Sequence, residues 1–139
     1  MDNRMCLEFA SKSENESFAR VVVAAFVTQL NPTLEEVEDL KMVVSEAVTN
    51  AIIHGYQSEE DHSVFLECVL RGQEVELTIM DHGVGIEDVQ KARQPMFSTK
   101  VEEERSGMGF TFMETLMDRM EVYSKVQSGT TVKMYKTIG

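Results

Sequence analysis

Residues 44–56 decide the fold, and they read Val-Ser-Glu-Ala-Val-Thr-Asn-Ala-Ile-Ile-His-Gly-Tyr. Just upstream, Thr33 and Glu36 have the Thr-x-x-Glu spacing of a capping box. Apolar residues then recur at helical spacing over about 34–54, and Gly55 is the predicted C′ residue after the last turn. The stretch therefore belongs to a long amphipathic helix.

This helix carries two polar residues that could perform chemistry. Glu46 and Asn50 are four residues apart, so they lie on one face, away from the apolar stripe. A carboxylate that can take a proton, beside an amide oxygen that can bind a hard cation, suits Mg²⁺-dependent phosphoryl transfer. An ordinary solvated helix face has the same pattern, so the pair alone does not decide the function.

The segments on either side predict further helices and strands. Residues 5–10 form a strand, and Ser13 with Glu16 predicts a second capping box, for a helix that ends at Asn31-Pro32. The remaining predicted elements are two hairpins and two helices, at about 63–70 with 74–80, 120–126 with 130–136, 87–93 and 108–118. This order is typical of an α+β sandwich, with helices on one face of a mixed, mostly antiparallel sheet.

Two glycine-containing segments add candidate chemistry. Asp81-His82-Gly83-Val84-Gly85 follows a strand, where the carboxylate can accept hydrogen bonds from an amino group such as that of adenine. Arg105-Ser106-Gly107-Met108-Gly109-Phe110 opens the predicted last helix, whose free backbone N–H groups can bind phosphate, with Arg105 adding a charge-assisted contact. An ordinary Gly-rich turn also explains the first segment, and a single Gly-x-Gly is weak evidence.

Composition limits the possible functions. The chain has 139 residues, of which 42% are apolar, so a single domain over 1–139 is expected. The net charge of −11 disfavours nucleic-acid binding, and a bound nucleotide would need Mg²⁺ and local cations. The sequence shows neither an apolar run of about 20 residues nor a signal-peptide pattern, so a cytoplasmic location is expected. Cys6 and Cys68 lack metal-site spacing and are expected to be buried free thiols.

The three motifs occur in one order over about 65 residues, with a helical Glu-x3-Asn followed by Asp-x-Gly-x-Gly and then Gly-x-Gly. Together they resemble the Bergerat-fold (histidine-kinase-like) ATPases, which are two-layer α/β sandwiches and include gyrase B subunits. Residues 13–20 (Ser-Glu-Asn-Glu-Ser-Phe-Ala-Arg), 44–56 and 106–110 (Ser-Gly-Met-Gly-Phe) resemble the sporulation anti-sigma F factors over nearly the whole chain. The resemblance implies a homodimeric serine kinase that binds a sigma factor of RNA polymerase and phosphorylates an anti-anti-sigma protein.

The resemblance also implies roles for individual residues. Glu46 is expected to be the general base, and Asn50 to hold the Mg²⁺ that bridges the phosphates of ATP. The expected adenine pocket comprises Asp81, Gly83, Gly85 and Thr130. A lid over about 94–107 is expected to enclose the phosphates, and the residues expected around them are Thr99, Lys100, Arg105, Ser106, Gly107 and Gly109. Met108 and Phe110 are further expected nucleotide-binding residues. Arg20, on the first helix, is expected to contact a partner protein.

Several alternatives stay open. Thr130 can be a plain strand residue, and Lys100 a solvated lid charge. The apolar first helix can reflect deep burial rather than dimer or partner contact. Five methionines can fill the core rather than an adaptable interface, namely Met96, Met108, Met113, Met117 and Met120. Two competing functions are a non-catalytic, nucleotide-gated anti-sigma module and a stress-response anti-sigma kinase with other partners.

Overall fold

A computed structural model describes residues 2–94 and 101–139 of the chain, apart from the side chains of 101–108. Five strands form one sheet: β1 (Asn3–Ala10), β2 (Ser63–Arg71), β3 (Glu74–Asp81), β4 (Arg119–Lys125) and β5 (Gly129–Thr137). The α-helices are α1 (Glu14–Val27), α2 (Leu34–Asn50), α3 (Val89–Ala92) and α4 (Val101–Leu116).

The strand order in the sheet is β1-β2-β3-β5-β4. The predicted α+β sandwich is confirmed, and every pairing among these strands is antiparallel, so the described sheet is not mixed. The last residue of β3, Asp81, pairs with Thr130 of β5. The two side chains that were predicted to contact a base are therefore neighbours at one end of the sheet.

The helices cover one face of the sheet and form the core with it. Alternation along the central strands turns residues such as Leu66 and Leu77 towards the helices, where they are at most 2% exposed. They join one apolar cluster with Val23 of α1 and Leu40 of α2. Three of the methionines, Met113, Met117 and Met120, are also buried there, so for them core packing is the correct alternative. Met96 and the side chain of Met108 lie outside the described residues.

The two predicted capping boxes have different outcomes. The Thr33 hydroxyl accepts a hydrogen bond from the Glu36 N–H at 3.1 Å, and the Glu36 carboxylate accepts one from the Thr33 N–H at 2.8 Å. The second prediction is wrong, because Ser13 has helical backbone angles (φ −59°, ψ −30°) and makes no side-chain cap. An N-cap residue needs an extended backbone for its side chain to reach the first free N–H groups.

This difference between the two helix starts predicts a difference in stability. Thr33→Ala is expected to lower the free energy of unfolding by about 1–2 kcal/mol, because it removes a made cap. Ser13→Ala removes a hydroxyl that caps nothing and should cost less than about 0.5 kcal/mol. Urea denaturation of both variants measures the two values, and equal losses would contradict the assigned caps.

The end of α2 differs from its prediction. The α-helix ends at Asn50 and continues as a π-helical turn, Ala51–Gly55. Gly55 is not among the glycines with a positive φ, so its predicted role as a left-handed C′ residue is wrong. Single π-helical turns of this kind are frequent at functional sites.

The start of α4 also differs. The helix begins at Val101, whereas the glycine pattern predicted a start near Met108, so the second half of the predicted lid is helical. Gly107 and Gly109 therefore lie inside the helix. Their N–H groups are not at its N-terminus, so the prediction that these glycines open the helix is wrong, while their predicted contact with phosphate stays a prediction.

The cysteine prediction is half right. Both thiols are free, and Cys68 is buried, which raises its pKa to about 12. Cys6 is exposed, because the alternation of β1 places it on the sheet face opposite the helices. A separate prediction concerned membranes, and no helix in the described part of the chain is long and apolar enough to cross one.

Candidate functional site

A cavity of about 330 Å³ lies between the helix layer and the end of the sheet. The walls are mainly apolar side chains from α2, the π-helical turn, the central strands, the loop after β3, α3 and α4, namely Ala47, Ala51, Ile79, Ile86, Ala92, Phe110 and Val132. The polar lining comprises Asn50, His54, Asp81 and Thr130. This volume and this mixture of apolar walls with a few polar groups are typical of a site for a small molecule.

The cavity brings together residues of all three motifs. The predicted site residues that line it are Asn50, Asp81, Gly85, Phe110 and Thr130. Glu46 lies one turn before Asn50 and is partly buried. A Cβ added to Gly109 would lie 2.9 Å from Glu46 Oε2 and 3.2 Å from Asn50 Nδ2, so the third motif packs directly on the first.

Other predicted site residues are not at the cavity or are not described. Gly83 lies beside the cavity without lining it. Arg20 is on α1, with its guanidinium 3.5 Å from the hydroxyl of Ser45, the residue before Glu46. Thr99 and Lys100 lie outside the described residues, as do the side chains of Arg105, Ser106 and Met108. The roles predicted for these five residues, and for Gly107, stay predictions.

Asp81 is a buried carboxylate at the floor of the cavity. It is 5% exposed, and its Oδ1 accepts a hydrogen bond from the Gly83 N–H at 2.8 Å. Burial raises the pKa of the Asp81 carboxyl, and backbone N–H groups of Gly83 and Thr130 partly offset that rise. When ionised, the group only accepts hydrogen bonds, so it is suited to an amino group that enters the cavity.

Glycines allow neighbouring segments to approach Asp81 closely. A Cβ at Gly55 would lie 2.7 Å from Asp81 Oδ1, and a Cβ at Gly83 would lie 2.0 Å from the Gly55 carbonyl oxygen. Both distances are shorter than real Cβ contacts. At Gly83 the close atoms are backbone, so only glycine fits there, whereas a Cβ at Gly55 would displace the Asp81 carboxylate. The sequence indicated Gly83 through its motif, but it gave Gly55 a role only as a helix terminator.

Thr130 belongs to a hydroxyl network beside Asp81. Its Oγ1 lies 2.8 Å from Ser124 Oγ, which donates to the Gly129 carbonyl at 3.1 Å and accepts from the Ile86 N–H at 2.7 Å. Because Ser124 has one hydroxyl hydrogen, its donation to Gly129 makes Thr130 the donor of the bond between the two hydroxyls. The Thr130 oxygen then offers the cavity an acceptor. Ser124 was not predicted from the sequence.

Asn50 lines the cavity with an unsatisfied amide. Its Nδ2 is buried and has no hydrogen-bond partner within the described part of the chain. A buried donor without a partner is costly, so its place in the lining indicates that a polar ligand completes it. The same side chain carries a carbonyl oxygen, which is a suitable ligand for Mg²⁺.

Comparison with known proteins identifies the family. The model of the family described as "Histidine kinase-like ATPase domain" matches residues 9–136. An anti-sigma F factor from Anoxybacillus flavithermus is 60% identical over 136 residues, which are 98% of this chain and 93% of that protein. The chain belongs to the anti-sigma F factor family. It therefore has a kinase-type, nucleotide-binding ATPase domain, and the predicted resemblance is confirmed.

Further anti-sigma F factors agree with this assignment. Those from Oceanobacillus iheyensis and Clostridium perfringens are 57% and 56% identical, covering 99% and 98% of this chain and 94% and 97% of their own lengths. The crystal structure of the RsbU and RsbW domains of a Mycobacterium tuberculosis protein superposes with a TM-score of 0.70. The superposition covers 98% of this chain and 32% of the Mycobacterium tuberculosis chain. Because the two sequences are only 14% identical, it supports the fold alone.

Proposed function

We propose that this protein is an anti-sigma factor that binds a sporulation sigma factor and, as an Mg²⁺·ATP-dependent serine kinase, phosphorylates an anti-anti-sigma partner. One observation carries the proposal. One cavity is lined both by Asp81, a hydrogen-bond acceptor for a base, and by Asn50, and Glu46 lies one helical turn before Asn50, next to Gly109. The chain belongs to a family whose members are named as anti-sigma F factors.

ATP is proposed to bind in the cavity in one orientation. The adenine amino group donates to Asp81, and the apolar walls formed by Ile79 and Val132 cover the ring. The phosphates then extend towards Asn50, whose buried Nδ2 lacks a partner among the described residues. Mg²⁺, held by the Asn50 carbonyl oxygen and phosphate oxygens, would supply charge neutralisation, which a chain with a net charge of −11 cannot easily provide.

Glu46 is proposed to act on the attacking serine. The serine hydroxyl oxygen of the partner attacks the γ-phosphorus, its proton passes to the Glu46 carboxylate, and ADP is the leaving group. The cavity holds the nucleotide, while the partner protein brings the hydroxyl, so catalysis is mainly positioning. The predicted lid, including Thr99, Lys100 and Arg105, is proposed to close over the phosphates.

The exposed side of α1 is the proposed partner surface. Phe18 is 53% exposed and Val21 58% exposed, so the deep-burial alternative is wrong for this side of the helix. Arg20 is next to Val21 in the helix, on the flank opposite Phe18, and pairs with Glu16 at 3.7 Å. Arginine is enriched at the energetically important positions of interfaces. Because Arg20 also approaches Ser45, a partner bound here lies close to the helix that carries Glu46.

Homodimerisation and a cytoplasmic location also belong to the proposal, through the family resemblance. The sheet face opposite the helices is the surface proposed for a second copy. It carries the partly exposed Phe65 and Met80 and the ion pair Arg4–Glu67. The Thr78 hydroxyl on this face is buried and has no hydrogen-bond partner in the described residues.

A phosphate-transfer assay tests the proposed function. Purified protein is incubated with radiolabelled Mg²⁺·ATP and each anti-anti-sigma candidate of the host. The label is expected on a serine of one candidate, and Asn50→Ala is expected to abolish it. If ATP binds tightly and no candidate is labelled, the protein is instead a nucleotide-gated binding module. If label appears on a partner other than an anti-anti-sigma protein of sporulation, the stress-response alternative gains support.

A further inference from the structure

Tyr56 connects the π-helical turn to the loop after Asp81. Its side chain is buried, and its ring stacks on His62 with 4.6 Å between centroids and 11° between planes. The hydroxyl donates to the Ser63 carbonyl at 2.6 Å and accepts from the His82 N–H at 2.7 Å. Tyr56 does not line the cavity, so it can influence a ligand there only through the residues that it holds.

The bond from His82 fixes the peptide group that directly follows Asp81. Two residues later, the Val84 N–H donates to the Gly55 carbonyl at 2.9 Å. Gly55 and Tyr56 are consecutive, so one end of the π-helical turn holds both ends of the loop. Between these two anchors, the Gly83 N–H donates to Asp81 Oδ1 at 2.8 Å. The Asp81 carboxylate is therefore held by a loop whose two ends are hydrogen-bonded to Tyr56 and Gly55.

Removal of the Tyr56 phenol oxygen would break the hydrogen bond that holds the start of this loop, without changing how the Tyr56 ring packs. Tyr56→Phe keeps the ring and its stacking on His62, but it leaves the His82 N–H and the Ser63 carbonyl without the partner that pairs them now. A freed peptide after Asp81 changes where its carboxylate points. Recognition of a single amino group depends on such placement to a fraction of an ångström.

We propose that Tyr56 is a positioning residue that sets the place of the Asp81 carboxylate, and thereby the preference of the cavity for purine nucleotides that carry a 6-amino group. The role deepens the proposed function and depends on it, because it presumes that the base of ATP meets Asp81. It assigns Tyr56 no contact with the nucleotide.

The test compares two nucleotides that differ only in the amino group. ATP and purine riboside triphosphate, which has hydrogen in place of the 6-amino group, are titrated with Mg²⁺ into wild-type and Tyr56→Phe protein. The wild-type protein is expected to prefer ATP by about 10-fold or more. In Tyr56→Phe this preference should fall at least about threefold, with the affinity for purine riboside triphosphate changed less than about twofold.

Two further proteins separate positioning from general damage. Tyr135→Phe removes another buried phenol, whose hydroxyl lies 3.5 Å from Glu121, and should leave the preference unchanged. A protein with 3,5-difluorotyrosine in place of Tyr56, titrated at a pH low enough to keep this more acidic phenol protonated, keeps the hydroxyl but weakens it as an acceptor. It should lower the preference in the same direction, and it serves as the test if Tyr56→Phe does not fold.

The outcomes separate the two proposals. If Tyr56→Phe weakens the binding of both nucleotides by the same factor, or keeps the wild-type preference, the positioning role is overturned while ATP binding stands. If Tyr56→Phe does not fold, the difluorotyrosine protein replaces it. A wild-type preference in that protein likewise overturns the positioning role. If the wild-type protein binds neither nucleotide, the proposed function fails and the role of Tyr56 fails with it.

Discussion

Glu46→Gln is expected to slow phosphate transfer to the partner serine at least about 100-fold, while the affinity for Mg²⁺·ATP stays within about twofold of the wild-type value. Glutamine has the size of glutamate, so the packing of Gly109 on this side chain is preserved. It cannot take a proton, so the serine hydroxyl loses its base. The base end of the cavity, at Asp81, is not touched by the change.

The measurement is a single-turnover transfer assay beside an equilibrium titration of ATP. Glu38→Gln is the matched control, because Glu38 is on the same helix but is 55% exposed and pairs with Lys41. It should transfer phosphate at the wild-type rate. Transfer by Glu46→Gln at the wild-type rate would remove Glu46 as the base, and a parallel loss of ATP affinity would assign it to binding.

Gly55→Ala is expected to weaken ATP binding by about 100-fold or more, with the free energy of unfolding changed by less than about 1 kcal/mol. Alanine tolerates the backbone of this helical turn, since φ at Gly55 is not positive. Its methyl group, however, would lie 2.7 Å from Asp81 Oδ1. The carboxylate must move, and the acceptor for the amino group moves with it.

Gly72→Ala serves as the control, because it is expected to lower stability without weakening ATP binding. Gly72 has a φ of +58°, and a Cβ there meets nothing within 4 Å. Alanine at this turn should therefore cost about 1 kcal/mol of stability and leave ATP affinity unchanged. Calorimetric titration gives the ATP affinity of each variant, and thermal unfolding gives its stability. Wild-type ATP affinity in folded Gly55→Ala would show that the contact with Asp81 is not needed.

Much of the fold could be predicted because its signals are local. Alternation predicted the strands of both hairpins, and the capping box at Thr33 placed the start of α2 correctly. The errors came where a local pattern was misleading. Ser13 has the right spacing to Glu16 but a helical backbone, and the polar residues before Gly107 do not prevent α4 from starting at Val101.

The candidate site was predictable only in part, for the same reason. Glu46 and Asn50 share a helix face, and Asp81 precedes two glycines, so short-range spacing revealed them. Tyr56 and Ser124 act through partners that are distant in sequence, since Tyr56 meets His82 and Ser124 meets Ile86 only in the folded chain. No spacing rule within one sequence reveals such contacts.

The most direct test of the account is a titration of Mg²⁺·ATP into wild-type and Asp81→Asn protein, with Mg²⁺·tripolyphosphate as a ligand that lacks the base. We expect one ATP per protomer in the wild-type protein and an affinity at least about 10-fold weaker in Asp81→Asn. We expect equal tripolyphosphate affinity in both proteins, because asparagine disturbs only the acceptor for the amino group. Equal ATP affinity in both proteins, or no ATP binding by the wild-type protein, would contradict a nucleotide site with its base at Asp81.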